Sequence, residues 1–215
     1  MPEATLNGYA VNRATLTVPL TGAWVLDVET EAEVPVTGAV ELVHDGTTRW
    51  AGTVVRGAVV DLRWSGRIVG GGGGFTQSVG ARLWRSVPVR LIVQDLLEEV
   101  GETLSASSAV DVLGTMLPLW TRRAGRAADA LCLLCDEFSV PWRVQSDGTV
   151  FIADPLWLPY EPSVDAMGED AVSGSALFGL DAPSLEPGMT LRGRRVGGLQ
   201  YTFDDDLQAR VWWAP

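Results

Sequence analysis

Three carboxylates stand at alternate positions of one predicted strand, in the segment WVLDVETE (residues 24–31). Asp27, Glu29 and Glu31 would project from the same face of that strand, because successive side chains of a strand point to opposite faces. Neighbouring acids on such a face lie only about 6.6 Å apart and repel one another. Two kinds of chemistry use carboxylates in this way: acid–base hydrolysis of a glycosidic bond, and repulsion of a polyanion from a negatively charged surface.

Other catalytic chemistry is sparse in this chain. His44 is its one histidine, so any Ser-His-acid arrangement would have to use it, and no G-x-S-x-G motif is present. The glycine run Gly70–Gly74 follows a predicted strand, but no Lys-Ser or Lys-Thr pair and no helix come directly after it. We therefore interpret the run as a tightly turning connector. Neither a nucleotide site nor Ser-His-acid catalysis is therefore predicted.

Metal and cofactor sites are not predicted either. Cys132 and Cys135 form a single Cys-x-x-Cys pair with no second pair and no nearby histidine, so we interpret them as small core residues of a helix. The acidic run Asp204–Asp206 lacks the spaced, glycine-punctuated pattern of a calcium loop. This run is typical of a solvated hairpin tip, although Ca²⁺ binding with other oxygen ligands stays open.

The overall charge limits the kind of partner. The 215 residues include 27 acids and 16 bases, for a net charge of −11, and all of the bases are arginine. A protein that grips nucleic acid through its phosphates shows the reverse balance. No such grip is therefore predicted.

A cluster of arginines lies near the C-terminus, formed by Arg192, Arg194 and Arg195. Arginine can bind an anion, so this cluster could form an anion site. Many acids surround it in the sequence, and alternating arginines on a strand pair readily with carboxylates. We predict that the cluster pairs with acids at a subunit or domain contact.

The elements that must position these residues follow the order β, α, β. Residues 1–80 alternate between polar and apolar side chains in short runs, which predicts a small barrel or a sandwich. Residues 81–140 carry apolar side chains at helical spacing, mainly in SVPVRLIVQDLLEEVGE and AGRAADALCLLCDEF, which predicts a helical insert. Residues 141–215 return to alternating β runs, interrupted by a long acidic, proline-rich loop at 155–188. The predicted fold class is mainly β with a helical insert (α+β).

Some finer features are also predicted. Asp45-Gly46 and Asp147-Gly148 are typical of β-hairpin turns. The segment SASSAVDVLGTMLPLW is expected to hold a short helix that ends near Pro118. No apolar run reaches the roughly 18 residues of a membrane helix, and the N-terminus lacks the pattern of a signal peptide. We therefore expect no membrane insertion and synthesis in a cytoplasm.

Several phrases, read together, resemble the baseplate hub proteins of tailed bacteriophages, which are related in fold to the hubs of contractile injection systems and type VI secretion spikes. The phrases are LNGYAVNRATLTVPLTGAWVLDVE, GTTRWAGTVVRG, RIVGGGGGF, LIVQDLLEEVGE, LWTRRAGRAADAL, WRVQSDGTVFIAD and EPGMTLRGRRVGGLQYTF. The most characteristic is the helix AGRAADALCLLCDEF leading into WRVQSDGTVFI. The resemblance extends along nearly the whole chain at the level of pattern, and the loop at 155–188 has no counterpart in it.

The resemblance implies a structural protein of the virion and not an enzyme, located in the tail tip or baseplate and made in the bacterial host cytoplasm. It implies two small β-barrel domains of the tail-tube and hub fold per chain, the first in residues 1–80 and the second in residues 141–215. It also implies a homotrimeric ring that joins tail tube to spike and conducts DNA. The implied partners are the tail tube or a distal tail protein, the central spike or tip protein, other baseplate proteins and the tape measure protein. DNA would pass without specific binding, and no cofactor is implied.

The resemblance also offers a role for the acidic strand. Repeated around a ring, Asp27, Glu29 and Glu31 would line the channel with negative charge and without cations, so that DNA slides past. The same acids could instead face bulk solvent on the outside of a barrel. A function of another class also stays open: a carbohydrate-binding or glycoside-hydrolysing β protein that uses surface carboxylates and exposed tryptophans, of which the chain has nine.

Overall fold

The computed structural model of the chain describes residues 4–153, 166–170, 172–180, 183, 185–204 and 206–214. The strands in these residues are β1 (Ala4–Leu6), β2 (Tyr9–Pro19), β3 (Val25–Thr30), β4 (Ala39–His44), β5 (Thr48–Val60), β6 (Arg63–Gly70), β7 (Ser78–Val79), β8 (Arg82–Pro88), β9 (Met116–Arg122), β10 (Gly125–Arg126), β11 (Trp142–Val144), β12 (Val150–Ile152), β13 (Ala166–Asp170), β14 (Ser175–Gly179), β15 (Thr190–Leu191), β16 (Arg194–Phe203) and β17 (Leu207–Trp213). The helices are α1 (Val89–Glu99), α2 (Val110–Gly114) and α3 (Ala127–Asp136), with a 3-10 turn at Gly74–Thr76. The predicted fold class, mainly β with a helical insert, is confirmed.

The N-terminal strands close a six-stranded barrel. Their order is β1-β4-β5-β6-β3-β2, and β1 also pairs with β2, which completes the ring. Alternation along each strand sends apolar side chains inward. Leu16, Leu26 and Ile68 lie side by side in the register and are at most 1% exposed. The barrel therefore has a packed interior, as small barrels do.

Two tryptophans fill much of this interior, and glycines leave the room for them. The indole of Trp64 lies against Gly57 and Gly66, which face each other across β5 and β6. A second glycine pair in the same two strands accommodates Trp24. Glycine weakens a strand interior unless another group approaches the backbone closely. Here the close approach of an indole explains each pair.

The C-terminal strands continue the sheet of the barrel. β16 pairs with β2, and β17, β14 and β13 follow it outward, while β15 pairs with the start of β16. Most of the predicted second barrel, residues 141–215, corresponds to these strands. Within the described residues they extend the first barrel's sheet through β2 and close no second ring. The division into domains at residues 80 and 140 stays a prediction.

The two long helices predicted in the helical segment are confirmed as α1 and α3, but the short helix predicted between them ends earlier than expected. The short helix predicted between them is α2, which ends at Gly114. Met116 to Pro118, where that helix is expected to end, belong instead to strand β9 (Met116–Arg122). β9 pairs antiparallel with β8 to make a two-stranded ribbon. A short apolar run fits helix and strand alike, and the strand partner that decides between them is distant in sequence.

The connections follow the sequence prediction at the hairpins and depart from it in the long loop. Asp45 and Gly46 both have positive φ, 50° and 66°, between β4 and β5, and Gly148 has φ 83° between β11 and β12. The prediction of a loop at 155–188 is wrong for Ala166–Asp170 and Ser175–Gly179, because these segments form the antiparallel strands β13 and β14. Residues 155–165 of that loop lie outside the described residues.

The helices and the β11–β12 hairpin pack on one end of the barrel through a continuous core. Ile92, Leu96 and Leu131 are fully buried in it. The Phe75 ring contacts Trp142 with centroids 4.6 Å apart, which joins the 3-10 turn to β11. In the described part of the chain, no helix combines the length and the apolar character that a bilayer crossing requires.

Candidate functional site

Asp27 and Glu29 lie on the outer face of the barrel, and each forms an ion pair with an arginine of β6. Asp27 is directly opposite Arg67 in the β3–β6 register, and its two oxygens accept hydrogen bonds from Arg67 Nε and Nη2, both at 2.7 Å. Glu29 Oε1 accepts one from Arg63 Nη1 at 3.1 Å. The bidentate pair is the stronger of the two by geometry. Two of the three candidate acids are thus neutralised within the chain.

These partners correct the expectation of an acidic face without cations. That expectation is wrong at Asp27 and Glu29, because β6 is the spatial neighbour of β3 although it lies far along the chain. The hydrogen bonds from Arg67 hold the pKa of Asp27 below its usual value, against the opposing effect of partial burial. The charges of Arg67 and Arg56 act in the same direction as the hydrogen bonds. At Asp27, attraction to arginine therefore outweighs the cost of partial burial.

Further arginines make this a mixed-charge face. Arg13 lies opposite Glu29 in the β2–β3 register, and Arg56 lies opposite Arg67 in the β5–β6 register. Both side chains are exposed, and neither forms an ion pair with a described residue. A shallow groove of about 490 Å³ runs between Arg56, Arg67 and the carboxylate of Asp27. Paired charges on an open sheet suit contact with water or another macromolecule.

Glu31 occupies a different place from the other two acids. It lies just beyond the end of β3, and its backbone N–H donates to Ala10 O at 3.0 Å. Its side chain is exposed and forms no ion pair with any described residue. The structure thus brings Asp27 and Glu29 onto one face and leaves Glu31 at the open end of the barrel.

The carbohydrate alternative finds no support on this surface. A glycosidase needs one carboxylic acid whose pKa is raised, whereas the pKa of Asp27 is lowered. Sugar-stacking platforms need exposed aromatic faces. Among the tryptophans that the structure describes, none is exposed: Trp24, Trp50, Trp64, Trp84 and Trp142 are buried, and Trp120, Trp212 and Trp213 are half-buried. Trp157 lies outside the described residues.

The three C-terminal arginines make separate contacts. Arg192 Nη1 lies 3.8 Å from Glu169 Oε1 in β13. The Arg194 guanidinium lies 4.5 Å from the ring centroid of Trp213, a cation–π distance. Arg195 is opposite Thr190 in the β15–β16 register. Pairing with an acid is therefore found at Arg192, within one chain, and a role of the cluster at a subunit contact stays a prediction.

The remaining candidate residues lie in the core or at a turn. Cys132 and Cys135 are free thiols on α3; burial raises the pKa of Cys135 to about 12, which leaves it protonated and inert. His44 is buried, with its ring 5.5 Å from that of Phe203. Asp204 and Asp206 lie between β16 and β17, and Asp205 is outside the described residues. No three acidic, histidine or cysteine side chains in the described ranges lie close enough to hold a metal ion.

The glycine run holds a carboxylate of the chain itself, which sequence reasoning missed. Glu102, buried just after α1, accepts hydrogen bonds at Oε2 from Gly72 N (2.9 Å) and at Oε1 from Gly74 N (2.8 Å). Burial raises the pKa of Glu102, while the N–H groups of Gly72, Gly74 and Gly73 act in the opposite direction. Successive N–H groups that converge in this way form an anion-binding nest. The nest therefore serves to fasten the barrel to the helical segment.

Comparison with known proteins identifies the fold. No protein-family model matches the chain, and no curated protein matches its sequence. The tail protein from Neisseria meningitidis MC58 is 11% identical with a TM-score of 0.72, and the match covers 99% of this chain and 96% of that one. The 43 kDa tail protein of prophage MuSo2 from Shewanella oneidensis is 10% identical with a TM-score of 0.73, covering 100% and 97%.

A type VI secretion protein shares the fold as well. The E. coli c3393 protein, a component of that system with structural similarity to the bacteriophage T4 tail proteins gp27 and gp5, is 9% identical with a TM-score of 0.67. That match covers 99% of this chain and 77% of the other. The chain has the fold of these tail proteins, so the hub-like fold implied by the sequence resemblance is confirmed.

Proposed function

We propose that this chain is the hub protein of a phage tail tip or baseplate, and that three copies form a ring that joins the tail tube to the spike and lets DNA pass. The observation that carries the proposal is the likeness to phage tail proteins over the entire chain. A structural role without catalysis agrees with carboxylates that are held in ion pairs.

In this role the chain has several partners in the virion. They are the tail tube or a distal tail protein on one side, the central spike or tip protein on the other, and neighbouring baseplate and tape measure proteins. A net charge of −11 opposes binding of DNA, so DNA passes without specific contacts. The protein is made in the bacterial host cytoplasm and ends in the virion.

The mass of the purified protein in solution tests the ring. Native mass spectrometry should give three times the 23.0 kDa of one chain, and averaged electron micrographs should show a central opening. A monomer that binds glycans on an array would overturn the hub and support the carbohydrate alternative. A ring without an opening would overturn DNA conduction.

We also propose that Asp27 and Glu29 face the channel, whereas Glu31, at the open end of the barrel, does not. In such a channel wall, Asp27 neutralises Arg67 and Glu29 neutralises Arg63 through their ion pairs. Unpaired arginines would bind phosphates and slow the passage of DNA. In this proposal the acids mask cations that the barrel face already contains.

Removing the charges of Asp27 and Glu29 should slow genome delivery several-fold while the ring stays intact. The variant D27N with E29Q leaves Arg67 and Arg63 without their anions, next to the exposed Arg13. The rate of DNA ejection from variant phage particles measures the effect, and ring mass checks assembly.

Glu41→Gln is the matched control, because it frees Arg49 from an exposed ion pair between β4 and β5. It should leave the ejection rate unchanged. If D27N with E29Q also leaves the rate unchanged, the face lies on the outside of the ring and not in the channel.

A further inference from the structure

The ribbon formed by β8 and β9 has open edges. Within the described residues no third strand pairs with it, and a two-stranded ribbon is marginal in water unless one face packs on another element. The inner face does pack: Trp84 Nε1 donates to Asp95 Oδ2 of α1 at 2.8 Å, and the Trp84 and Trp120 rings lie 5.4 Å apart. Unpaired strand edges are natural sites of association with another chain.

The outer face of the ribbon is apolar around one arginine. Leu83 is 49% exposed and Leu119 is 56% exposed. The register sets Leu83 opposite Thr121 and Leu119 opposite Arg85. Covering such leucines would remove apolar area from water and so favour association. We call Leu83, Arg85, Leu119 and Thr121, together with Arg123 directly after β9, the ribbon face.

The ribbon and its flanks carry only positive charge in a strongly acidic chain. Residues 78–88 and 116–126 contain five arginines and no aspartate or glutamate, although the net charge of the chain is −11. Three of these arginines have acidic partners on the helices: Arg82 with Asp95, Arg122 with Glu99, and Arg126 with Asp129. Arg85 and Arg123 form no ion pair within the described part of the chain. The ribbon face therefore favours an acidic partner.

The barrel carries a complementary surface at its other end, away from the helices. β3 ends beside the start of β6, and the β5–β6 hairpin turns at Asp61 and Leu62, so the segment after β3 and the hairpin tip share this end. Exposed acids and exposed apolar residues alternate there. We call them the barrel rim: Glu31, Glu33, Val34, Val60, Asp61 and Leu62.

Two features of the barrel rim favour a covered surface. Leu62 is 68% exposed and has φ 62°, a left-handed conformation that is uncommon for a bulky apolar residue. Val60 beside it is 61% exposed. Glu31, Glu33 and Asp61 form no ion pairs with described residues, so their charge is available to a partner.

We propose that the ribbon face of one copy docks on the barrel rim of the next copy around the ring. This rests on the proposed function, which requires copies of this chain to associate. The leucines of the ribbon face cover the apolar residues of the rim, and Arg85 and Arg123 meet its acids. Because the two surfaces differ, the contact is heterologous, and a heterologous contact closes into a ring when the rotation between copies allows it.

A second copy is the partner that the charges favour. Chains of equal net charge repel one another at a distance, so the surfaces that meet are those that place unlike charges together. The ribbon face offers arginine without acid, and the barrel rim offers acid without arginine. Arg63, which follows Leu62, is held by Glu29. Each chain thus carries both halves of one complementary contact.

Charge reversal on either half tests the contact. R85E with R123E on the ribbon face, or E31R with E33R on the barrel rim, should raise the concentration for half-assembly more than tenfold in analytical ultracentrifugation. These four side chains are exposed, so circular dichroism of the variants should match the wild type. Reversing all four in one chain should restore assembly, because each contact then pairs unlike charges again.

The matched control for the ribbon-face variant, R13E with R56E, reverses two exposed arginines of the barrel face and changes the net charge by the same amount in the same direction. It should assemble at the wild-type concentration. If both double variants assemble like the wild type, or if the fourfold variant does not assemble, the docking contact is overturned and the hub proposal stands. A wild type that forms no ring overturns the hub proposal itself.

Discussion

Replacing Glu102 with alanine should lower the free energy of unfolding by about 3 kcal/mol. For a chain of this size that is a fall of roughly 6–12 °C in the unfolding midpoint. The carboxylate accepts hydrogen bonds from the N–H groups of Gly72 and Gly74 at 2.9 and 2.8 Å. Without it these charge-assisted bonds are lost, and the N–H of the buried Gly74 cannot turn to water.

The glycine run cannot adapt to the loss by shifting towards another acceptor. Its backbone is packed so closely that a Cβ at Gly72 would lie 2.6 Å from Gly101 O, and a Cβ at Gly74 would lie 2.9 Å from the carbonyl carbon of Val100. The next residue, Phe75, holds the 3-10 turn against β11. Loss of the carboxylate therefore weakens the junction between barrel and helices as well as the hydrogen bonds.

Urea unfolding at pH 7 measures this effect. Glu102→Gln should fall between wild type and alanine, because the amide keeps one acceptor oxygen but directs its NH₂ group at a backbone N–H. Glu98→Gln is the matched control, because Glu98 is an exposed carboxylate near the end of α1, the helix that precedes Glu102. This variant should stay within about 0.5 kcal/mol of wild type. Wild-type stability of Glu102→Ala would show that the nest does not hold the two parts together.

The nest also shows where sequence reasoning ends. A run of glycines predicts a tightly turning connector from composition alone, and φ values of 75° at Gly71 and 77° at Gly73 agree with it. The acceptor of its N–H groups is 30 residues from Gly72, on the far side of a helix. No motif spacing links the two, because helix packing sets their distance.

For the acidic strand β3, the exposed face was predictable from the sequence and the arginine partners were not. Alternation is a property of a single strand, so it correctly predicts that Asp27 and Glu29 share an exposed face. Their arginine partners depend on which strand lies beside β3, and that follows from barrel closure. The available signal was the pattern RWSGRIVG, in which Arg63 and Arg67 also share one face of a strand. Matching charge patterns between non-adjacent strands could have suggested the pairing.

The ribbon was the part of the fold least accessible from sequence. The segment MLPLW is short and apolar, and such runs fit a buried helix and a strand equally well. β9 becomes a strand because β8 offers a partner in register, with Trp84 opposite Trp120. The apolar outer face that carries the docking proposal depends on this pairing, so it is visible only in the structure.

A single methyl group at Gly66 should destabilise the barrel by about 3 kcal/mol, at the upper end of the usual cost of overpacking. Its Cβ would collide with the indole of Trp64 and lie 2.9 Å from Arg56 O. Trp64 is fully buried, and Gly57 on the facing strand already touches the same ring. The indole therefore has no direction in which to move.

Backbone conformation does not account for the expected loss, since φ at Gly66 lies outside the left-handed region. Gly80→Ala is the matched control: its Cβ would meet nothing within 4 Å, and its φ is also outside that region. It should equal or slightly exceed wild-type stability. In urea unfolding, Trp64→Leu should absorb much of the cost of Gly66→Ala, so the double variant is more stable than the sum of the single changes predicts. Additive losses would show that the ring is not what excludes the methyl group, and the glycine pairs would need another explanation.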